Sequence, residues 1–401
     1  MRFLLPDEGT TFNIPDTIAV RVQVSDDRTV RSVVVEVVDE AGSTIASAAA
    51  IGVDAATGTV DCSIPLMDQR ARSGTYTLIA RATDGMNDGR GFRSINVLEA
   101  PLRSRAIFLS PAFSNNETGI WRVDSTGLSA LWTNVSELGG IAVDGHSQHL
   151  MVAGTQFAPM QALPTHGQAF AWQVAPPSTG EPGQFTALTV DPLDHRTYLA
   201  TRDGFIRGYT GEGLQRFTAQ CLIGHRCEDI VLTSGRVATW QSAAVGGASK
   251  VVTYTVAGTV QDVLPMEHER VALFQRSEDD MIHFANVAGS GLIEEVNVAS
   301  AGTPDLRVFN GEAIRSVARM DEQNFMVALP SRIVRFNLAS NSITEVVPAV
   351  QADALAFDRA NGVLLAAQGS SLIAIDPVTG ATNTVTSIAE PIAHILPLLN
   401  R

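Results

Sequence analysis

The sequence predicts an all-β protein in two parts, a β-sandwich over residues 1–100 and a seven-bladed β-propeller over residues 103–401. Three observations predict it. Residues 1–100 alternate apolar and polar side chains in short runs broken by turn residues. Beyond residue 103 one strand-and-turn element recurs seven times. A surplus strand at the carboxyl end matches a strand missing from the first repeat.

In the amino-terminal part, Thr17–Ser25 alternates at every step, Asp26-Asp27-Arg28 reads as a turn, and Ser32–Asp39 resumes the strand. Thr59–Leu66, Gly74–Thr83 and Arg90–Leu98 follow with the same period. Period two sends one face of each strand to a core and the other to water, so strands at this spacing suit a sandwich. The run Ser73–Asp84 resembles the late strands of bacterial immunoglobulin-like domains, and that resemblance implies a sandwich of the same kind. Asp84-Gly85-Met86-Asn87-Asp88-Gly89 shares residues with a calcium loop but lacks its bidentate glutamate, and reads instead as a hairpin turn.

The recurring element of the second part is Gly119–Asp124, Ala169–Val174, Gly204–Tyr209, Lys250–Thr255, Gly291–Val296, Arg332–Asn337 and Ser371–Asp376. The copies lie roughly 40 residues apart, the length of a four-stranded propeller blade. Two apolar strands precede a copy, as in Gly140–Asp144 with His149–Ala153, or Ala354–Asp358 with Val363–Ala366. Their small and branched residues suit the space between packed sheets. Before the first copy stands only Ala106–Ser110, and after the last copy comes Ala393–Leu398. That last strand is expected to become the innermost strand of the first-begun sheet and close the ring, which leaves no open radial edge. The blades are expected at about 139–184, 185–227, 228–269, 270–312, 313–351 and 352–392, with the seventh made of 393–401 and 103–138. In period and pattern this part resembles the NHL, SMP-30 and YncE-like seven-bladed propellers of bacteria.

Composition narrows the function. A net charge of −14 and a pI near 5.0 argue against nucleic acid or an anionic membrane surface as partner. No apolar run is long enough for a membrane span. Lys250 is the only lysine and begins a strand, so no Schiff-base or P-loop lysine is expected. Met1–Leu5 starts like a secretion signal, but Pro6-Asp7-Glu8 ends the apolar stretch at once. An extracellular or periplasmic location is implied by the resemblance alone.

Propeller ligands collect at a mouth of the central channel. The residues just before each innermost strand therefore form the candidate ligand-binding ring: Glu228, Asp229, Arg270, Arg315, Asp353 and His394. Such a ring either grips a polar or zwitterionic ligand or pairs its own charges. The lactonases among the similar propellers hold a divalent metal, for which Glu228 and Asp353 would be partial matches, but no asparagine stands at a corresponding strand start. No metal, cofactor or catalytic set is therefore expected. Cys221 and Cys227 flank Leu222–Arg226 and suit a short-loop disulfide, two reduced thiols, or, with His225, an incomplete zinc set. The long stretches Thr155–Gln168 and Ala175–Gln184 read as surface insertions. The resulting expectation is a non-catalytic exported binding or scaffold protein that recognises a protein or glycan on a propeller face. The alternative is a propeller enzyme, a metal-assisted hydrolase or lyase, with its site at the channel mouth.

Overall fold

The computed structural model describes residues 1–400 except 41, 70, 125, 168, 178–182, 193 and 234. The chain divides into two compact units, Met1–Arg103 and Ser104–Asn400.

The first unit is organised by one long strand, Asp16–Val38. Its first half pairs with Ile51–Leu66 and with Arg2–Leu5. Its second half pairs with Gly74–Thr83, which pairs in turn with Asp88–Leu98. Thr11–Asn13 adds a parallel strand at Asn96–Leu98. Ile18, Val20, Val22 and Val24 point into the core from the first half, and Val33, Val35 and Val37 from the second. The inward phase thus switches from even to odd positions. Val30 keeps the even phase, so the switch falls between Val30 and Val33. At Asp26–Arg28, where a turn was expected, the strand runs on, exposed, and its pairing with Ile51–Leu66 slips on both sides of Val30. A polar break followed by a change of phase is the local signature of a bulge as much as of a turn. Because the long strand is shared, hydrogen bonds join all seven strands into one sheet around one core, where two separate sheets were expected. At Asp84 the backbone N–H groups of Met86 and Asn87 donate to its Oδ1 at 2.7 and 2.6 Å. These bonds hold its carboxyl below the usual range and make it a turn cap.

The second unit is a seven-bladed β-propeller. Its described residues form seven four-stranded antiparallel sheets. The innermost strands are Gly140–Asp144, Phe185–Val190, His225–Thr233, Glu269–Gln275, Ser316–Arg319, Ala354–Asp358 and His394–Asn400, for blades 1 to 7 in that order. Each packs beside the next around the ring. Blade 7 is completed by Arg103–Ser110, Thr118–Val123 and Ser129–Val135, so the last strand of the chain does close the circle. The Ala393 N–H donates to the Ser110 carbonyl at 2.9 Å where the closing strand begins. Ile395 packs with Ala354, Leu365 and Ala367 of blade 6. Leu398 packs with Ile141, Leu150 and Val152 of blade 1.

Six of the seven recurrent sequence elements are third strands. Blade 1 is the exception. Its third strand is Met160–Pro164, inside the stretch expected to be an insertion, and Trp172–Val174 is a short outermost strand. Met160 and Ala162 are fully buried, so this segment is core, although flanking prolines hide it in the sequence. Part of the second expected insertion, 178–182, lies outside the described residues.

The turns between third and fourth strands lean on the preceding blade. Gly258, at φ +80°, sits so close to the Thr218 carbonyl oxygen of blade 2 that a Cβ would overlap it. Gly258→Ala is expected to cost ~2 kcal/mol or more, from backbone strain plus displacement of a neighbouring strand. A urea unfolding midpoint equal to that of the parent protein would refute the contact.

Candidate functional site

In every blade the innermost strand begins at the same face of the ring, and the loops from second to third strand emerge there too. Of the six candidate residues expected just before the innermost strands, Arg315 and Asp353 do precede them, whereas Glu228, Asp229, Arg270 and His394 lie within the first half of theirs. Three of the innermost strands carry a bulge near their start, between Phe185 and Ala187, Cys227 and Asp229, and Arg270 and Ala272. The bulge at Glu228 leaves that side chain exposed while Asp229 turns toward blade 4.

The structure brings four of the six together as two pairs. Arg270 Nη1 donates to Asp229 Oδ2 at 2.7 Å, joining blades 3 and 4. Arg315 Nη1 donates to Asp353 Oδ1 at 3.1 Å, joining blades 5 and 6. Enclosure pushes the Asp229 carboxyl up, against the pull of the Arg270 guanidinium. Arg270 also lies 6.0 Å from the centre of the Trp240 ring. Glu228 is not part of either pair; it accepts a hydrogen bond from Ser242 Oγ at 2.7 Å. His394 stands apart from the charges and stacks on Phe113, with centroids 4.3 Å apart and planes 15° apart. Burial lowers the affinity of this imidazole for a proton. The ring of charge read from the sequence is therefore a set of inter-blade clasps beside an aromatic stack. Glu228 and Asp353 are not joined by further ligands: among the described residues no group of three or more His, Cys, Asp or Glu side chains could hold a metal ion.

Apolar side chains surround this mouth on the same face. Phe113 and Phe157 lie in loops from second to third strands of blades 7 and 1, Val245 in that of blade 3, and Ile223 in the connection into blade 3. Ile223 and Val245 are almost fully exposed, at 96% and 91%. The loop bearing Phe157 is held by Glu137. The Glu137 carboxylate accepts the backbone N–H of Gln156 at 2.6 Å and of Phe157 at 3.0 Å, with further donors from Thr155 and Ala158. Partial desolvation alone would raise this carboxyl, but the converging donors hold it below its ordinary value. Beside it a groove of about 570 Å³ runs between blades 7 and 1, bordered by Glu117, Asn134, Glu137, Gln161 and Phe170.

Sequence reasoning missed one polar cluster completely. His283 and Glu294 face each other across neighbouring strands of blade 4, and both are buried. Glu294 Oε2 meets His283 Nδ1 at 2.8 Å, and Oε1 meets His268 Nδ1 at 3.1 Å. His283 also packs on Trp240, with centroids 5.0 Å apart. Desolvation pushes the Glu294 carboxyl up, yet the two imidazoles more than offset it and the net direction is down. The available signal was a histidine within the apolar strand Met281–Ala285.

No protein-family model matches the sequence, and no curated protein matches it. Solved structures show similarity in fold outline. A quinonprotein alcohol dehydrogenase-like protein from Bacteroides thetaiotaomicron aligns over 99% of this chain and 98% of its own, with TM-score 0.49 and 8% identity. A chain of a nidogen/laminin complex aligns over 63% of this chain and 98% of its own, with TM-score 0.45 and 13% identity. BamB from Moraxella catarrhalis aligns over 61% of this chain and 70% of its own, with TM-score 0.42 and 11% identity.

Proposed function

We propose that this chain is an exported, non-catalytic binding or scaffold protein that holds a protein or glycan on the face where its innermost strands begin. The observation that supports this reading is the pairing of the rim. Asp229 with Arg270 and Arg315 with Asp353 satisfy each other between blades. A guanidinium or carboxylate already bonded within the fold is a poor starting point for acid–base or metal-assisted chemistry, which needs a free and positioned group. What the rim does provide is a preorganised surface. Phe113, Phe157, Ile223 and Val245 are its exposed apolar groups, and rigid apolar anchors within a polar rim are the ordinary means of macromolecular recognition. In this reading Glu228 and His394 contact the ligand directly, and the two ion pairs fix the rim that presents them. The amino-terminal unit, read as immunoglobulin-like from Ser73–Asp84, serves as a spacer.

The test is photocrosslinking in the producing cell, with benzoylphenylalanine at Phe157 or Ile223 on the proposed face and at Val378 on the opposite one. Val378 is a suitable control because it is 83% exposed. A discrete adduct from the first two positions only is expected for a protein ligand, and binding on a glycan array that is lost in Phe157→Ala for a glycan. Equal adducts from all three positions, or neither adduct nor glycan binding, would overturn the proposal.

A further inference from the structure

Cys221 and Cys227, read as a possible disulfide, are free thiols buried in an apolar cluster with Tyr198, Phe217 and Tyr254. The Cys227 thiol donates instead to the Asp229 carbonyl at 3.3 Å. Thiols enclosed in this way meet no ligand. The groove between blades 7 and 1 is different, because it combines volume, open polar groups and a built wall.

Its volume of about 570 Å³ falls within the ~300–1,000 Å³ of small-ligand sites. Ser129–Val135, the outermost strand of blade 7, supplies one side, and Met160–Pro164 of blade 1 supplies the other. Ala158 and Pro159, from the loop before Met160, add a wall. The Glu137 carboxylate fixes that loop by accepting the Gln156 and Phe157 N–H groups at 2.6 and 3.0 Å. At its start, a Cβ on Gly154 would lie 2.3 Å from the Ala158 carbonyl oxygen, so the loop is packed on itself. Glu137 thus shapes the groove rather than meeting a ligand. Buried Val152 and Leu163 give the groove an apolar part.

The other polar groups are open. Among the described residues no hydrogen bond or ion pair engages the side-chain amides of Asn134 and Gln161 or the Glu117 carboxylate, and all three border the groove. An amide carries a donor and an acceptor side by side, which suits two adjacent hydroxyls. Phe170, 48% exposed, adds an aromatic face, whose negative charge density attracts polarised C–H groups. The described lining residues include no Arg, Lys or His, so a phosphate, a sulfate or an acidic sugar would find no counter-charge and would be repelled by Glu117. An extended peptide would have to add to the outer edge of Ser129–Val135, where a bulge between Leu131 and Thr133 breaks the regular spacing that strand addition needs.

We propose that this groove binds an uncharged saccharide. Asn134 and Gln161 bond adjacent hydroxyls, Glu117 accepts a further one, and the C–H face of a pyranose ring rests on Phe170. The proposal rests on the reading of this chain as a binding protein and narrows the ligand to a neutral glycan at one place.

The full-length protein is screened on an array of neutral, sialylated and sulfated glycans, and the strongest binder is titrated calorimetrically into the parent, Asn134→Ala and Phe170→Ala. Both residues are exposed, so both variants should fold, which an unchanged urea midpoint checks. Neutral glycans should bind, and each substitution should weaken binding about three- to tenfold, the scale of one hydrogen bond or ring contact. Preference for sialylated or sulfated glycans, absence of any glycan binding, or parental affinity in either variant would overturn the proposal. The two readings fail separately. Glycan binding lost in Phe157→Ala but kept in both groove variants, or a protein adduct from Phe157 with no glycan bound, removes the groove and leaves the binding face.

Discussion

Removal of residues 393–401 abolishes cooperative folding of the propeller in the largest effect expected here. The deletion takes away the innermost strand of blade 7, so it removes the ladder to Arg103–Ser110 and uncovers the inner edges of blades 6 and 1 together. Ile395 and Leu398 are buried in the clusters on either side, at 7% and 1% exposure. Each contributes ~1.5–3 kcal/mol of apolar burial, and the cavities left on both sides add to that loss. The total approaches the whole stability of a domain, about 5–15 kcal/mol. Urea titration followed by tryptophan fluorescence is the measurement. The truncated chain should show no sharp transition, or one displaced by several kcal/mol. Addition of a synthetic 393–400 peptide should restore part of it. A truncated chain with a midpoint equal to that of the full chain would mean that the ring does not depend on this strand.

Glu294→Ala is expected to destabilise the protein by ~3–5 kcal/mol, the scale of an uncompensated break in a buried charged cluster. Its carboxylate is the shared acceptor of His283 and His268. His283 Nε2 already lacks a partner in the interior, so the substitution would leave both ring nitrogens of a fully buried imidazole unsatisfied. Glu294→Gln retains one acceptor and the shape of the side chain, and should lose less. The pH dependence follows from the direction of the shift. The folded-state value of Glu294 lies below the ordinary one. Its contribution is therefore complete above the unfolded value of about 4.3 and is lost as pH falls through the folded value. The gap in unfolding free energy between parent and Glu294→Gln should hold constant from neutral pH to about pH 5 and narrow in more acid solution. A gap that widens on acidification, or a negligible effect of Glu294→Ala at neutral pH, would show that the cluster is not the electrostatic unit described.

Some of this architecture was legible because it rests on local periodicity. Strands repeat with period two and blades with one period of four strands, so Gly140–Asp144 and Ala354–Asp358 announce the same position in two different blades. The errors have local causes as well. Asp26–Arg28 is polar enough to be a turn, and only the pairing partner reveals that the strand continues through it. Met160–Pro164 follows Pro159 and itself ends on Pro164, and prolines at both ends disguise a strand whose side chains are buried.

By itself the sequence determined the order of strands within a blade, because each blade repeats one pattern, although the innermost strands of blades 3 and 4 begin earlier than that pattern suggests, at His225 and Glu269. It also determined that the ring closes through its last strand, since one blade lacks the strand that the end of the chain holds in excess. The tertiary structure alone decided what the residues at the channel mouth do to one another. Asp229 and Arg270 are 41 positions apart, and Arg315 and Asp353 are 38 apart. Whether such charges stay free or neutralise each other depends on gaps of a few ångströms between adjacent sheets, and Coulomb and hydrogen-bond energies change most over that range. The same gaps set Glu294 between His283 and His268, a contact that no periodicity encodes.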